Sequence, residues 1–237
     1  MRQRWRARTL LAALTVVIVP PLAAVISAGT AAADPVTLGG GSGIVVNGDA
    51  YCTLTTIGTD SHGDLIGFTS AHCGGPGAVV AAEGAEAAGP VGTMVAGNDA
   101  LDYAVIRFDP AKVAPTNNVN GFVIDGLGPD PRTGDVVCKQ GRTTGNSCGV
   151  TWGPGQDPGT FISQVCGAPG DSGAPLTVNN KLVGMLHGAF TDDLPTCVVK
   201  YIPLHTPAVT MSFNTQLADI TAKDRPGTGF VPFGSLA

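Results

Sequence analysis

Three polar residues in this sequence have the types and the chain order that nucleophilic catalysis requires. Ser172 follows Asp171 between two glycines, Gly170 and Gly173, which predicts a rigid turn that holds one hydroxyl outward. An alcohol is a poor nucleophile at neutral pH, so it needs an imidazole to accept its proton and a carboxylate to orient that imidazole. His72 and Asp102 supply these groups upstream in the chain. We therefore predict His72, Asp102 and Ser172 as catalytic residues.

Each of these assignments has an alternative. Gly-Asp-Ser-Gly alone is equally typical of an ordinary surface turn, because these residue types dominate turns. Asp99 is a second candidate for the carboxylate, although Asp102 opens an apolar strand where a carboxylate is costly to bury without a hydrogen-bonding partner. His62, in a polar turn, and His205, before the last apolar stretch, are the other histidines downstream of the N-terminal segment that compete with His72.

Taken together, the motifs resemble the trypsin/chymotrypsin family of serine proteases, and within it the bacterial streptogrisin-like branch. The resemblance extends from about Cys52 to the C-terminal segment, and residues 138–145 are similar to the Cys-x-x-Gly-x-Thr-Thr-Gly loop of that branch. It favours His72, which stands in Thr-Ser-Ala-His-Cys, and Asp102, which opens Asp-Tyr-Ala-Val-Ile-Arg. It further implies that the backbone amides of Gly170 and Ser172 form an oxyanion hole.

The resemblance also implies an internal replacement for the new N-terminus that animal proteases of this fold use to hold the aspartate before the serine. In the bacterial branch a basic side chain within the chain takes that role, at the position that Lys139 occupies here. We therefore expect Lys139 to pair with Asp171, without a tryptic activation cut.

The chain contains 6 cysteines, which in an exported protein suggests three disulfides, although composition leaves their pairing open. The family pattern implies three pairs, Cys52 with Cys73, Cys138 with Cys148, and Cys166 with Cys197. Metal ligation is the alternative, but there is no Cys-x-x-Cys pair and His72 is adjacent to Cys73 rather than spaced from it. We therefore predict no metal site and no cofactor.

Three residues depart from the family pattern. Ala174 replaces the usual glycine after Gly173, and His187 replaces a serine that bonds the catalytic aspartate and opens one wall of the specificity pocket. Because imidazole titrates near neutrality, His187 is expected to make the Asp102–His72 pair more sensitive to pH. Gly188 and Ala189 follow it, and Ala189 stands where glycine usually leaves the pocket open. We predict a narrow pocket at residues 187–189 for small or medium apolar side chains.

Short β-type runs separated by Gly, Pro, Asn and Asp predict an all-β fold. The resemblance specifies two six-stranded antiparallel Greek-key β-barrels (chymotrypsin-like) with a C-terminal helix. Thr206 and Pro207 predict the start of that helix, and Val209, Phe213, Leu217 and Ile220 its apolar stripe. The predicted strands are 44–46, 51–57, 65–70, 92–95, 103–108, 135–138, 161–165, 175–178, 181–185 and 198–202. The predicted domains are a signal peptide (1–33), a flexible leader (34–50), a first barrel (51–115), a second barrel (116–205), and a helix and tail (206–237).

Arginines followed by the apolar run 10–26 and by Ala31-Ala32-Ala33 are typical of a Sec-type signal peptide, with an uncleaved membrane anchor as the alternative. Removing residues 1–33 leaves 9 basic and 18 acidic residues, a formal net charge of −9, which argues against nucleic acid or an anionic membrane as partner. We expect a secreted monomer acting on protein or peptide substrates.

The sequence thus favours a serine endopeptidase. Two other functions remain open: a binding protein on the same scaffold, impaired by His187 and Ala174, and an α/β-type esterase. The esterase class requires Gly-x-Ser-x-Gly and the order Ser, Asp, His, whereas Ala174 replaces the last glycine and the order is reversed.

Overall fold

The structure is a computed structural model that describes residues 34–235. The predicted signal peptide, residues 1–33, lies outside the described residues. Within residues 34–235 there is one α-helix, α1 (Phe213–Ala222), and no helix in this range has the length and apolar character needed to cross a membrane.

Strands are the main regular structure of the described chain. They are β1 (Val36–Leu38), β2 (Gly43–Val46), β3 (Ala50–Thr53), β4 (Thr56–Thr59), β5 (Leu65–Thr69), β6 (Val79–Ala82), β7 (Gly92–Asn98), β8 (Tyr103–Phe108), β9 (Val113–Pro115), β10 (Asn118–Val119), β11 (Phe122–Val123), β12 (Gly126–Leu127), β13 (Val136–Gly141), β14 (Gly145–Pro154), β15 (Thr160–Ser163), β16 (Pro175–Val178), β17 (Lys181–Ala189), β18 (Ala208–Ser212) and β19 (Val231–Pro232).

Two large sheets organise these strands. The first has the order β19-β4-β5-β8-β7-β6-β2-β3 and forms a half-barrel. The second has the order β12-β17-β16-β13-β14-β15-β18, and β17 also pairs with β18, so six of its strands close into a barrel. The architecture is the chymotrypsin-like two-barrel fold with a C-terminal helix, which confirms the predicted fold class.

Separate apolar clusters fill the two halves and the space beneath the helix. Ile44, Leu54 and Ile106 are fully buried inside the first sheet. On its other face, the ring of Phe68 contacts those of Phe213 in α1 and Phe230 edge to face, with centroids 5.1 and 4.8 Å away. The helix and the segment after it therefore dock on the first sheet.

The predicted flexible leader is wrong. Residues 36–38 pair in parallel with β9, and residues 43–46 lie between β3 and β6 in the first sheet. Leu38 and Ile44 are buried, so apolar side chains fix a segment whose glycines suggested flexibility. The first sheet accordingly begins before residue 51.

The predicted start of the C-terminal helix is also wrong. Residues 208–212 form β18, which pairs with β15 and β17 and closes the second barrel, so that barrel extends beyond residue 205. The helix begins at Phe213, because the Ser212 hydroxyl accepts a hydrogen bond from the Thr215 amide at 3.2 Å. Val209 therefore lies on a strand and not on the helical stripe.

One further strand prediction was wrong, and one long strand was not predicted. Residues 198–202 form turns and bends, and Val198 and Tyr201 are 88% and 83% exposed, so this β-branched run has no sheet to join. The ten-residue β14 was missed, because glycines and polar residues interrupt the alternation that identifies a strand.

Candidate active site

His72 and Asp102 lie at the same end of two neighbouring strands. His72 belongs to the 3-10 helix Ala71–Cys73 that follows β5, and Asp102 precedes β8, which is antiparallel to β5. Asp102 closes the 3-10 helix Asp99–Leu101 in the left-handed conformation, with φ of 43°, which aspartate tolerates better than most residues. The pairing of β5 with β8 thus brings the Asp102 carboxylate next to the His72 imidazole.

The three predicted catalytic side chains form one chain of hydrogen bonds. His72 Nδ1 lies 3.0 Å from both Asp102 carboxylate oxygens, and the backbone amide of His72 also donates to Oδ1 at 3.0 Å. On the other edge of the imidazole, Nε2 lies 2.8 Å from Ser172 Oγ. Because Nδ1 faces a carboxylate, it carries the hydrogen, and Nε2 is left to accept a proton from the serine.

The competing residues lie elsewhere. Asp99 is exposed at the start of its 3-10 helix. His62 is 66% exposed and contacts only Asp60, and the Nδ1 atom of buried His205 lies 2.9 Å from the Thr206 carbonyl oxygen. The geometry therefore joins His72 to Asp102 and Ser172, and to none of the alternatives.

The loop that carries Ser172 is held by two hydroxyl groups, one at the end of β3 and one between β3 and β4. Thr53 Oγ1 donates to the Gly170 carbonyl at 2.9 Å, and Thr55 Oγ1 donates to the Gly173 carbonyl at 2.7 Å. The Thr53 amide donates to the Ser172 carbonyl at 2.8 Å. These contacts fix the serine relative to the sheet that carries His72.

The glycines on both sides of the serine are required by the backbone. Gly170 and Gly173 have φ of +94° and +84°, and a Cβ on Gly173 would collide with the Thr53 carbonyl oxygen. In this turn the backbone amides of Gly170 and Ser172 donate to no protein acceptor within residues 34–235. Two donors beside the serine are thus available to an oxygen atom of a ligand.

The carboxylate of Asp171 binds backbone amides of the serine loop and of the loop after β13. It accepts from the amides of Thr143 (2.9 Å), Thr144 (3.2 Å) and Ala168 (3.1 Å), and Lys139 Nζ lies 3.2 Å from Oδ2. The side chains of Lys139 and Asp171 are both completely buried. Burial lowers the pKa of Lys139 from its ordinary value, although the adjacent carboxylate opposes that shift. The ion pair expected between these residues is therefore present.

His187 also bonds the Asp102 carboxylate. It is the extra residue of a β-bulge in β17, between Leu186, opposite Thr210, and Gly188, opposite Val209. A bulge re-aims the side chain at that position, and here His187 Nδ1 lies 2.6 Å from Asp102 Oδ2. His187 thus occupies the place that the resemblance assigns to a serine.

Hydrogen bonds at this site shift the pKa values of Asp102 and His187. Burial alone would raise the pKa of Asp102, but hydrogen bonds from His187 and His72 outweigh it and hold that pKa well below its ordinary value. The hydrogen bond to Asp102 raises the pKa of His187 from its ordinary value. The carboxylate is therefore ionised throughout the neutral range.

Ala174 fits without distortion. It is completely buried within the core of the second barrel, and it is absent from the non-glycine residues with positive φ in the described chain. Its methyl group packs where the family pattern has glycine.

An apolar cavity of about 210 Å³ opens beside Ser172. Its wall contains no ionisable side chain; the lining residues are Gly167, Ala168, Pro169, Ser172, Leu186, Gly188, Ala189, Thr196, Thr206, Pro207 and Ala208. The predicted pocket residues Gly188 and Ala189 belong to this wall, whereas His187 points to Asp102.

The fold is the chymotrypsin-like two-barrel fold, and the site brings together the three side-chain types that serine catalysis uses. No protein-family model matches the chain. Streptogrisin-C of Streptomyces griseus is 30% identical over 166 residues, which cover 63% of this chain; the chain spans only 34% of the length of that relative.

Solved structures share the fold at lower identity. Chymotrypsin of Cellulomonas bogoriensis is 24% identical with a TM-score of 0.61, covering 84% of this chain and 100% of that one. The Nocardiopsis protease is 21% identical with a TM-score of 0.59, covering 78% and 96%. Because both solved structures are less than 25% identical to this chain, they show the shared chymotrypsin-like fold alone.

Proposed function

We propose that this chain is a secreted serine endopeptidase that hydrolyses peptide bonds through His72, Asp102 and Ser172. One observation carries the proposal: a single imidazole lies 2.8 Å from a serine hydroxyl on one edge and 3.0 Å from a buried carboxylate on the other. This arrangement deprotonates an alcohol as it attacks a carbonyl carbon and stabilises the resulting imidazolium.

In the proposed reaction, Ser172 Oγ attacks the carbonyl carbon of the scissile bond while His72 Nε2 takes the hydroxyl proton. The carbonyl oxygen becomes negative and is bound by the amides of Gly170 and Ser172, an interaction typically worth about 3 kcal/mol in the transition state for each donor. His72 then gives the proton to the leaving amine, an acyl-enzyme remains, and water releases it by the same steps. No cofactor enters this sequence.

The cavity beside Ser172 is proposed to bind the side chain that precedes the cleaved bond. An apolar wall without ionisable groups favours an apolar side chain over lysine, arginine or glutamate, because an unpaired charge is costly to desolvate. The Ala189 methyl group occupies part of the cavity wall, so we expect small or medium residues such as valine, leucine or methionine. Digestion of a peptide library and sequencing of the cleavage sites measures this preference.

Secretion is part of the proposal. It is supported by the sequence pattern of residues 1–33 and by three disulfides, Cys52–Cys73, Cys138–Cys148 and Cys166–Cys197. N-terminal sequencing of exported protein should find a start near Asp34. A start at residue 1 on membrane-bound protein would favour the anchor instead.

A fluorophosphonate probe tests the catalytic assignment directly, because it labels only an activated serine. We expect labelling of the wild-type protein, no labelling of Ser172→Ala, and normal labelling of Ser61→Ala, which removes an exposed hydroxyl in the turn between β4 and β5. Peptide hydrolysis should follow the same pattern.

The other candidate is a binding protein on the protease scaffold, in which the His187–Asp102 contact impairs catalysis. Folded protein that neither reacts with the probe nor cleaves the peptide library would support that function and overturn the endopeptidase proposal. Labelling that persists in Ser172→Ala would overturn the identity of the nucleophile.

A further inference from the structure

We propose that His72, Asp102 and His187 form a site that binds Zn²⁺ reversibly and thereby inhibits the protein. The inhibition rests on the function proposed above, whereas the binding of the ion does not. No local sequence pattern marks this site, because residues 72, 102 and 187 are distant in sequence.

The donor atoms are of the type that zinc prefers and lie close together. One ligand atom from each of the three residues lies within 4.8 Å of the others. The two Nδ1 atoms approach the same carboxylate, His72 at 3.0 Å and His187 at 2.6 Å. Two imidazoles and one carboxylate suit Zn²⁺ better than Mg²⁺ or Ca²⁺, which prefer oxygen ligands.

The contacts of both imidazoles with the carboxylate need only a small adjustment to accept the ion. Zinc binds nitrogen and oxygen ligands at about 2.0–2.2 Å, so neighbouring ligand atoms of a tetrahedral site are roughly 3.3 Å apart. Each Nδ1 must therefore move away from the carboxylate by less than about 1 Å. The two rings are inclined at 74°, which keeps them from stacking face to face.

The site is open to an ion from solvent. The His72 and His187 side chains are 46% and 45% exposed, whereas the Asp102 side chain is only 5% exposed. The carboxylate is thus a fixed anchor, and the two imidazoles have room to turn about it. Three protein ligands leave a fourth position for water.

Binding at Nδ1 explains why the ion would inhibit. Zinc requires the lone pair of Nδ1, so the hydrogen of a neutral His72 imidazole moves to Nε2 and no net proton is lost. Nε2 is the atom 2.8 Å from Ser172 Oγ, and once it carries a hydrogen it no longer accepts the serine proton. The ion also removes the hydrogen bond that orients His72 on Asp102.

Calorimetric titration of the Ser172→Ala protein with ZnCl₂ tests the site without requiring activity. The matched variants, made in the same background, are His187→Ser, which keeps a hydroxyl near Asp102 but removes a zinc ligand, and His62→Ala, which removes an exposed histidine next to Asp60. We expect one ion bound per chain, with affinity at least about tenfold weaker in His187→Ser and unchanged in His62→Ala. Thermal unfolding in EDTA checks that each variant is folded.

Activity provides the second measurement. ZnCl₂ should slow peptide hydrolysis by the protein with Ser172 intact, EDTA should restore the rate, and His187→Ser should need at least about tenfold more zinc for the same fractional inhibition. Equal zinc affinity in folded His187→Ser and its parent, or no binding to the parent, would overturn the site. If zinc binds as expected but no variant hydrolyses peptides, the site stands and the endopeptidase proposal fails.

Discussion

Lys139 and Asp171 form an ion pair whose two side chains are completely shielded from solvent, with Nζ 3.2 Å from Oδ2. The partner of the lysine also accepts hydrogen bonds from the amides of Thr143 and Ala168. One carboxylate therefore joins β13, the loop after it and the loop that carries Ser172.

Removing the charge of Lys139 should strongly destabilise the folded protein. We expect Lys139→Ala to lower the free energy of unfolding by about 3–5 kcal/mol, because it leaves a buried carboxylate without its counter-ion. Probe labelling of Ser172 should fall as well, since Asp171 holds the serine loop. Urea denaturation measures the first effect.

The control is Lys181→Ala, which breaks a pair with Asp125 at 3.0 Å in which the lysine is 45% exposed. That change should cost less than about 1 kcal/mol. Equal losses for the two variants would contradict a special role of the buried pair.

The contact between Thr55 and Gly173 predicts a second effect. Thr55→Val keeps the shape of the side chain but leaves the Gly173 carbonyl without its buried donor, so we expect a loss of about 1–3 kcal/mol. Because that carbonyl adjoins Ser172, kcat should fall more than KM rises, as steady-state kinetics would measure.

Thr210→Val is the matched control, because the Thr210 hydroxyl is buried and has no hydrogen-bond partner within the described residues. Its replacement should be neutral or stabilising. If Thr210→Val lowered the free energy of unfolding as much as Thr55→Val, the effect at Thr55 would come from the shape of valine and not from the lost hydrogen bond.

Ala189 predicts a change of specificity. Ala189→Gly removes a methyl group from the wall of the cavity beside Ser172, so phenylalanine before the cleaved bond should gain on valine. We expect about a tenfold shift in the ratio of their kcat/KM values, the usual order for one methyl group in an apolar pocket. The assay uses two peptides that differ only at that position. An unchanged ratio would mean that Ala189 does not limit the size of the side chain that the cavity binds.

Asp60 predicts a pH-dependent contribution to stability. Burial raises its pKa, but hydrogen bonds from the amides of Gly227 (3.1 Å), His62 (2.9 Å) and Asp64 (3.1 Å) outweigh this and hold the pKa below its ordinary value of 3.8. A lowered carboxyl pKa stabilises the fold fully above the ordinary value, and that contribution is lost as pH falls through the folded value.

Asp60→Asn should therefore unfold more easily than the wild type at pH 7, by about 1–3 kcal/mol. The difference should be constant down to about pH 5 and shrink below pH 3.8, as urea denaturation across this range would measure. Exposed Asp49→Asn should change stability by less than about 0.5 kcal/mol. A stability difference that grows towards low pH would contradict a lowered pKa of Asp60 in the folded protein.

The fold class and about half of the strands could be predicted from the sequence. Strands β8 and β16, for example, are apolar runs bordered by aspartate, asparagine or proline. The sequence did not reveal β1 or β18. Residues 36–38 are too short to show a period, and their pairing with β9 depends on contacts distant in sequence. Thr206 and Pro207 are typical of a helix start. Residues 208–212 instead pair with β15 and β17 and close the second barrel, and this tertiary pairing outweighs the local preference.

The site was predictable to a similar degree. His72, Asp102 and Ser172 stand in distinctive motifs, and the sequence marked His187 as unusual. Its 2.6 Å contact with Asp102 depends on the bulge in β17, which no local pattern encodes. The contacts of Thr53 and Thr55 with the serine loop could not be predicted either, since these threonines are 117 and 118 residues away from the carbonyl groups that they bind.

Strand β19 pairs with β4 at the edge of the first sheet, and Phe230 next to it packs on Phe68. During synthesis on the ribosome, the sheet that bears His72 and Asp102 therefore lacks this edge strand until residues 231–232 have emerged. Until then the nascent protein displays an uncapped β edge, and the second barrel has already been translated by the time that edge closes.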